Sequence, residues 1–257
     1  MTEPKAPRPA LSHKGGDGIL LDVRGVTKRF GGLTANKDIS FHVAPGELVG
    51  IIGPNGAGKS TLFDVLTGFQ PPDGGSVLLN GQPITRLRPD EISRLGVGRT
   101  FQKLKPFNQM TVVENVMVGA FQKTTHPAEA RTHALEALEQ VGLADKADAH
   151  ARVLSTGQRK RLEMARALAS RPRLLLLDEV TGGVDQRSIP GLVELVRSLN
   201  ATGVALVVIE HNMRVIMGIS QRVVALHLGE VICDGPPQAV MNDHRVIEAY
   251  LGRAYAS

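Results

Sequence analysis

A polyphosphate site needs backbone N–H groups that converge on one point, a nearby cation, and a hydroxyl that can reach a metal ion. The run Gly53-Pro54-Asn55-Gly56-Ala57-Gly58-Lys59-Ser60-Thr61 supplies all three. It follows the spacing G-x-x-x-x-G-K-[ST] and lies between the apolar run Leu48–Ile52 and a helical stretch. Its glycines let the backbone wrap an anion at distances that a Cβ would obstruct. The start of the next helix adds the positive end of a dipole. Lys59 brings a point charge to the β- and γ-phosphates, and the Ser60 hydroxyl is placed to ligate Mg²⁺. The loop as a whole, Gly53 through Thr61, predicts a nucleoside triphosphate site.

Two further clusters could complete such a site. Leu174-Leu175-Leu176-Leu177-Asp178-Glu179 is an apolar strand ending in two carboxylates, and strand ends of this kind face the ligand crevice of a parallel sheet. Asp178 suits the holding of Mg²⁺ through water, and Glu179 suits polarising the water that attacks the γ-phosphate. Leu154-Ser155-Thr156-Gly157-Gln158 leads into a helix striped by Leu162, Ala165 and Leu168. Ser155 and Gln158 form an S-x-x-Q capping box. Gly157 in the first turn costs up to about 1 kcal/mol of helix propensity, which a merely well-capped helix would not need. A glycine there opens the backbone N–H groups to a phosphate. Asn36-Lys37-Asp38 resembles a guanine-reading N-K-x-D only superficially: its aspartate comes one place early, and it precedes the phosphate loop. It is read as a loop leading into a strand.

The elements that must position these groups follow from the pattern of the chain. It has 257 residues, 42% of them hydrophobic, enough for a sizeable core. No apolar stretch nears the roughly 20 residues of a membrane span. Residues 1–18 lack an apolar signal core and are rich in Pro, Gly and charge, which predicts a disordered tail. The single cysteine, Cys233, excludes an intrachain disulfide and is read as a buried structural thiol. The net charge of +5 is spread along the chain, aromatics are 4%, and there is no Trp. That pattern argues against nucleic acid and suits polyphosphate or an anionic membrane face.

From Ile19 to Leu79 the pattern is strand-like, with turns at Gly31-Gly32 and Asp73-Gly74-Gly75. Leu174–Leu177, Val204–Ile209 and Val223–Leu226 read as parallel strands buried on both faces. The middle is helical. Thr111 and Glu114 form a capping box ahead of Val113, Val116, Met117 and Ala120, and Ala134, Ala137, Leu138 and Val141 make a second stripe. The prediction is an α/β core with an antiparallel β portion, divided as a tail over 1–18, β portion and phosphate-loop core over 19–102, inserted helical subdomain over 103–172, and the rest of the core with a terminal helix over 173–257.

With these motifs in order, the chain resembles the ABC (ATP-binding cassette) ATPases from Ile19 to Gly252. L-S-x-G-Q at 154–158 resembles their signature, with threonine where glycine is commonest. Phe30 matches the aromatic that stacks on adenine, Gln102 the Q-loop glutamine, Asp185 the D-loop aspartate and His211 the switch histidine. The resemblance implies ATP sandwiched between two subunits, Lys59 on one side and Ser155, Thr156, Gly157 and Gln158 on the other. It implies hydrolysis by Glu179, His211 and Gln102, with Ser60, Gln102 and Asp178 around Mg²⁺. Val180 stands where the family usually has proline, and Gly182-Gly183-Val184-Asp185 replaces S-A-L-D, which bears on the rigidity of the D-loop and on turnover.

Within the family the chain most resembles ATPase subunits of branched-chain amino acid importers, through Gly98–Asn115, Glu210–Ser220 and Arg245–Gly252. In the last segment Val246, Ile247, Tyr250 and Leu251 form one apolar helix face, with Asp243 as cap and Gly252 as stop, predicted to pack on the chain's own core. The implied partners are a second ATPase subunit, identical or not, membrane-spanning permease chains and, indirectly, a solute-binding protein. The implied place is the cytoplasmic face of the inner membrane. A lipid or lipopolysaccharide exporter subunit, a non-transport ABC ATPase, and a nucleotide-binding module with slowed hydrolysis stay open as alternatives.

Overall fold

The computed structural model describes residues 18–101 and 106–251. Most of the predicted tail, Gln102 and Gly252 therefore lie outside the described residues. β1 (Leu21–Phe30) and β2 (Leu33–Val43) pair antiparallel across the Gly31-Gly32 turn, and β3 (Leu48–Ile52) leads to the phosphate loop and α1 (Lys59–Leu66). β4 (Gly74–Leu79) returns along β1, and β5 (Gln82–Pro83), α2 (Pro89–Arg94) and β6 (Val97–Arg99) follow. Next come helices α3 (Val112–Ala120), α4 (Pro127–Gln140) and α5 (Thr156–Leu168). The chain then alternates through β7 (Leu174–Asp178), α6 (Ile189–Ala201), β8 (Ala205–Ile209), α7 (Met213–Ile219) and β9 (Arg222–His227). It closes with β10 (Glu230–Gly235), α8 (Pro237–Met241) and α9 (His244–Leu251).

Among the described residues the strands make an antiparallel sheet of order β2-β1-β4-β5 and a sheet of order β10-β9-β3-β8-β7-β6. In the second, β9, β3, β8, β7 and β6 run parallel, and β10 joins β9 antiparallel. Every residue of β3, β7 and β8 is buried, as expected for strands covered on both faces. Side chains that alternate along β7 divide between two cores. Leu175 and Leu177 join the core shared with α3, α4 and α5, and Leu174 and Leu176 join the core shared with the antiparallel sheet. Ile51 of β3 and Asp178 of β7 both pair with Ile209 of β8. Register therefore brings Gly53, Glu179 and His211, each just beyond a strand end, to one edge of the sheet.

Both capping boxes form: Thr111 with Glu114 opens α3, and Ser155 with Gln158 opens α5. Four local expectations need correction. Gly74 and Gly75 are not a turn but the start of β4, where it crosses an irregularity in β1 between Arg24 and Thr27. Gly75 has φ +81°, and a Cβ there would fall 2.4 Å from the Gly25 backbone, so closeness of two strands, not a reversal, requires the glycine. Asn36-Lys37-Asp38 lies inside β2 rather than in a loop, with Asp38 at φ 54° absorbing a bulge. Cys233 sits on the outer strand β10 and is only partly buried, because an outer strand is covered less fully than a central one. Strand β6 was not foreseen; its three residues are too few to show a period.

Candidate nucleotide site

The antiparallel sheet shapes the phosphate loop. Gly58 has φ +96°, and a Cβ there would lie 2.2 Å from the Ala35 carbonyl oxygen of β2. Asn36, fully buried beside Ala35, donates from Nδ2 to the Gly58 carbonyl at 3.0 Å. Gly53, with φ +155°, would bring a Cβ to 2.3 Å from the Leu226 carbonyl oxygen. No side chain caps the first turn of α1, so its N–H groups remain directed at the space in front of the loop. Lys59 is buried and donates to the carbonyls of Gly53 at 2.6 Å and Pro54 at 3.0 Å. Burial holds its pKa below the ordinary lysine value, against the opposing attraction of Glu179 and Asp178.

In front of the loop is a cleft of about 490 Å³. Asn55, Gly56, Ala57, Gly58, Lys59, Ser60 and Thr61 form one wall, and Phe30, Glu179 and His211 face them from three other elements. Gly53 and Pro54 lie behind this wall and reach it through Lys59. Phe30 is half-exposed at the end of β1 and lines the cleft, with the Lys28 ammonium 5.2 Å from its ring centroid.

Glu179 has φ 52°, a left-handed conformation that costs a non-glycine residue about 1–3 kcal/mol and needs surrounding bonds to hold it. Its N–H donates to the Ile209 carbonyl at 3.0 Å, and its own carbonyl accepts from Lys160 Nζ at 2.6 Å and from the Gly182 N–H at 3.2 Å. So held, its carboxylate Oε1 lies 2.8 Å from Nε2 of His211. A carboxylate and an imidazole in contact can fix a water and take up its proton. Glu210, the residue before His211, is buried and accepts from the N–H of Thr181 at 2.6 Å and from its hydroxyl at 2.9 Å, tying together the loops that carry the pair. Val180 is buried in the core shared with α3, α4 and α5.

Asp178 is buried, its N–H donating to Thr100 Oγ1 at 3.0 Å. Burial pushes its carboxyl above the ordinary aspartate value, partly offset by Arg99. Oδ2 lies 3.6 Å from the Arg99 guanidinium, whereas Oδ1 is buried with no hydrogen-bond partner among the described residues. Arg99 donates to Asp64 at 2.6 Å and lies 5.1–5.8 Å from the ring centroids of Phe63, Phe69 and Phe101. Arg99, Lys160 and Glu210 were not singled out as site residues in the sequence. A lysine at the buried 157–160–164 stripe of α5 was the one available signal.

The other predicted residues stand apart. Ser155 and Thr156 are exposed, Ser155 Oγ accepts from the Gln158 N–H at 3.3 Å, Gln158 Oε1 accepts from the Ser155 N–H at 3.0 Å, and none of residues 155–158 lines the cleft. Asp185 is also exposed and away from the cleft. It accepts from Ser188 Oγ at 2.8 Å and from the N–H groups of Arg187 and Ser188 at 3.1 Å, and the Ser188 bond holds its carboxyl below the ordinary aspartate value. Gln102 lies outside the described residues. On either side of it, the Phe101 N–H donates to Glu163 Oε1 at 2.7 Å, and the Phe107 N–H donates to Asn115 Oδ1 at 2.8 Å.

Comparison with known proteins fits this geometry. The sequence model of the ABC transporter family matches residues 36–182, and that of the branched-chain amino acid ATP-binding cassette transporter matches residues 230–256. The high-affinity branched-chain amino acid transport ATP-binding protein LivG of Escherichia coli K12 is 39% identical over 251 residues, covering 91% of this chain and 98% of LivG. The lipopolysaccharide export ATP-binding protein LptB of Acidithiobacillus ferridurans is 37% identical over 233 residues, covering 91% of this chain and 97% of LptB. The ADP conformation of the ATP-binding cassette MJ1267 aligns with a TM-score of 0.83 at 31% identity, over 91% of this chain and 99% of that one. A dimeric post-hydrolysis state of the cassette MJ0796, bound to ADP and Pi, aligns with a TM-score of 0.76 at 29% identity, over 85% of this chain and 99% of that one.

Proposed function

The chain belongs to the ABC transporter ATP-binding family, and on that premise we propose that two such subunits close over ATP at this cleft to drive import of branched-chain or closely related amino acids. It is the ATPase subunit of a transporter, and subunits of this kind work as dimers with membrane-spanning permease chains. The observation that carries the proposed chemistry is the meeting of Lys59, Ser60, Glu179 and His211 in one cleft. The solute class is supported by the 230–256 match and the likeness to LivG.

In the proposed cycle Phe30 stacks on the adenine, and the loop from Gly53 to Thr61 takes the phosphates. Lys59 exchanges its two carbonyl partners for phosphate oxygens. Glu179, oriented by His211, accepts the proton of the attacking water. Ser155, Thr156, Gly157 and Gln158 close over the partner's γ-phosphate, with Asp185 at the same junction. The residues fit a magnesium ion: the orphaned Oδ1 of Asp178 is a buried acceptor awaiting a cation's shell, and Ser60 supplies the hydroxyl. The ion would be held by one carboxylate, the Ser60 hydroxyl, water and phosphates. When bound, Mg²⁺ would neutralise charge on the β- and γ-phosphates. Gln102 is proposed to join it.

The proposed dock for the permease is the groove lined by Phe69, Phe101 and Val118, which are exposed apolar residues between the main sheet and α3–α5. No helix among the described residues is long and apolar enough to cross a membrane. The proposed position, from the family, is peripheral at the cytoplasmic face. The lipid-export reading is carried by the LptB likeness alone. Uptake of labelled amino acids by cells lacking the chain, compared with cells carrying Glu179→Gln, separates the two. Loss of leucine, isoleucine and valine uptake in both supports import. Unchanged uptake with a defect in lipid export overturns it.

A further inference from the structure

We propose that Tyr250, on the last helix, is a positioning residue for the phosphate loop, its hydroxyl fixing the Gly53 peptide so that the loop is ready for nucleotide. The proposal rests on the reading that the cleft binds ATP. The Gly53 N–H donates to Tyr250 Oη at 2.7 Å, across 197 positions of sequence. The same residue is held on its other side, its carbonyl accepting from Lys59 Nζ at 2.6 Å. Gly53 is thus gripped at both ends of its backbone, in a conformation no other residue could take, at the point where β3 becomes the loop. Without the Tyr250 hydroxyl the N–H would lose its one partner among the described residues, and the peptide would be free to turn toward another acceptor.

The hydroxyl is delivered by a helix that is itself anchored. Val246 of α9 is buried in the core shared with the helices. At the start of α9 the Asp243 carboxylate accepts from the Arg245 N–H at 2.9 Å and from its guanidinium at 3.0 and 2.7 Å. The Asp243 carbonyl accepts from the N–H groups of Val246 and Ile247 at 3.0 Å. Tyr250 is 40% exposed as a whole, and its partial burial pushes the phenol above its ordinary pKa, so at neutral pH the group that meets Gly53 is the neutral hydroxyl. Tyr250 does not line the cleft. It therefore acts on nucleotide through Gly53, and its effect belongs to binding rather than to the chemical step. This gives the terminal segment a role at the nucleotide site that its own position, behind the loop, does not suggest.

The test uses the full chain and Tyr250→Phe, which removes one oxygen and keeps the ring, with Ile247→Ala on the same helix as control. ATP affinity is read by titration, KM and kcat by steady-state ATPase assay, and folding by thermal melting. Tyr250→Phe should raise the ATP Kd and KM about three- to tenfold, the scale of one net hydrogen bond, with kcat at saturating ATP nearly unchanged and Tm lower by about 1–4 °C. Ile247→Ala should leave Kd and KM as in the wild type. Equal ATP affinity in the wild type and Tyr250→Phe overturns the proposal, as does an equal rise in Kd for both variants, which would trace the effect to helix docking. Failure of the wild type to bind ATP overturns the underlying site reading instead.

Discussion

Around Lys59 the polar contacts turn inward, whereas around Ser155 they are spent on the helix's own first turn and leave the surface free. The phosphate loop is crowded: Gly58 is pressed against β2, Lys59 bonds two carbonyls, and Glu179 is bent into a left-handed conformation beside His211. The signature turn differs: Ser155 and Thr156 are exposed, Gly157 is buried, and none of residues 155–158 lines the cleft. One half of the proposed site is finished within the subunit. The other closes its own capping box, Ser155 with Gln158, and lines no part of the cleft. Two copies facing head to tail would give each half what it lacks, and the two halves should then answer differently to substitution.

The largest effect is expected on the finished half. Glu179→Gln keeps Lys59 and the loop but removes the proton acceptor, so steady-state ATP hydrolysis should fall about 10²–10⁴-fold while ATP still binds. Hydrolysis at the wild-type rate would remove Glu179 from the chemistry. A comparison of Lys59→Ala with Ser155→Arg then separates the halves. Lys59→Ala takes a charged contact from the nucleotide and should weaken binding by the monomer about ten- to hundredfold. Ser155→Arg should leave monomer binding nearly as it was and block the ATP-dependent dimer seen by size-exclusion chromatography or light scattering. Equal loss of monomer binding in both would mean that Ser155 serves its own subunit's nucleotide.

The contrast also explains what could be read from the residues. Features closed within a few positions were legible: the glycine spacing of the loop, the Thr111–Glu114 and Ser155–Gln158 boxes, the Leu174–Leu177 strand with its terminal carboxylates. Each depends on local backbone geometry that composition alone determines. Contacts between distant segments were not. Lys160 was one more charge on a basic helix until its ammonium met the Glu179 carbonyl. Arg99 was part of a likeness, not a group between Asp64, Asp178 and three rings. Gly74-Gly75 looked like a turn because a glycine pair has the same composition whether the chain reverses or another strand passes close by. Tyr250 was assigned to the apolar face of α9, and only the fold brings its polar tip to Gly53.

A smaller effect concerns the unmet carboxylate of the finished half. Burial raises the folded-state pKa of Asp178 above its unfolded value, so the folded state binds the proton more tightly and loses stability as pH rises through that interval. Below about pH 4 both states are protonated and the cost is absent; above the raised pKa it is present in full. Asp178→Asn removes the charge and leaves Arg99 its bond to Asp64. The nucleotide-free variant should therefore melt at a higher temperature than the wild type at neutral pH, the gain shrinking as pH is lowered toward 4 and hydrolysis being lost throughout. A melting temperature below the wild type's at pH 7 would show that the Arg99 contact outweighs burial.

The smallest effect is the sharpest test of the comparison, because its sign should reverse between the two halves. Gly157 sits in the first turn of α5, where the nearest atoms to an added Cβ are those of Ser188 at 3.5 and 3.6 Å and Val184 at 3.8 Å, ordinary contacts. Its backbone is helical, so alanine loses no conformation and gains about 0.5–1 kcal/mol of helix propensity. Gly157→Ala should then raise the Tm of the isolated subunit by about 1–4 °C. Gly58→Ala places a Cβ 2.2 Å from the Ala35 carbonyl at φ +96° and should lower it, since neither backbone can give way. On the proposed sandwich, the subunit stabilised at Gly157 should nevertheless dimerise less readily with ATP, because a methyl group in the first turn of α5 crowds the N–H groups proposed to take the partner's γ-phosphate. Stability and assembly moving in opposite directions would mean that this glycine is kept for a contact the single chain does not contain. A fall in the Tm of Gly157→Ala would instead place its function within its own subunit, and the distinction between a finished and an unfinished half would fail at the residue where it is most directly measurable.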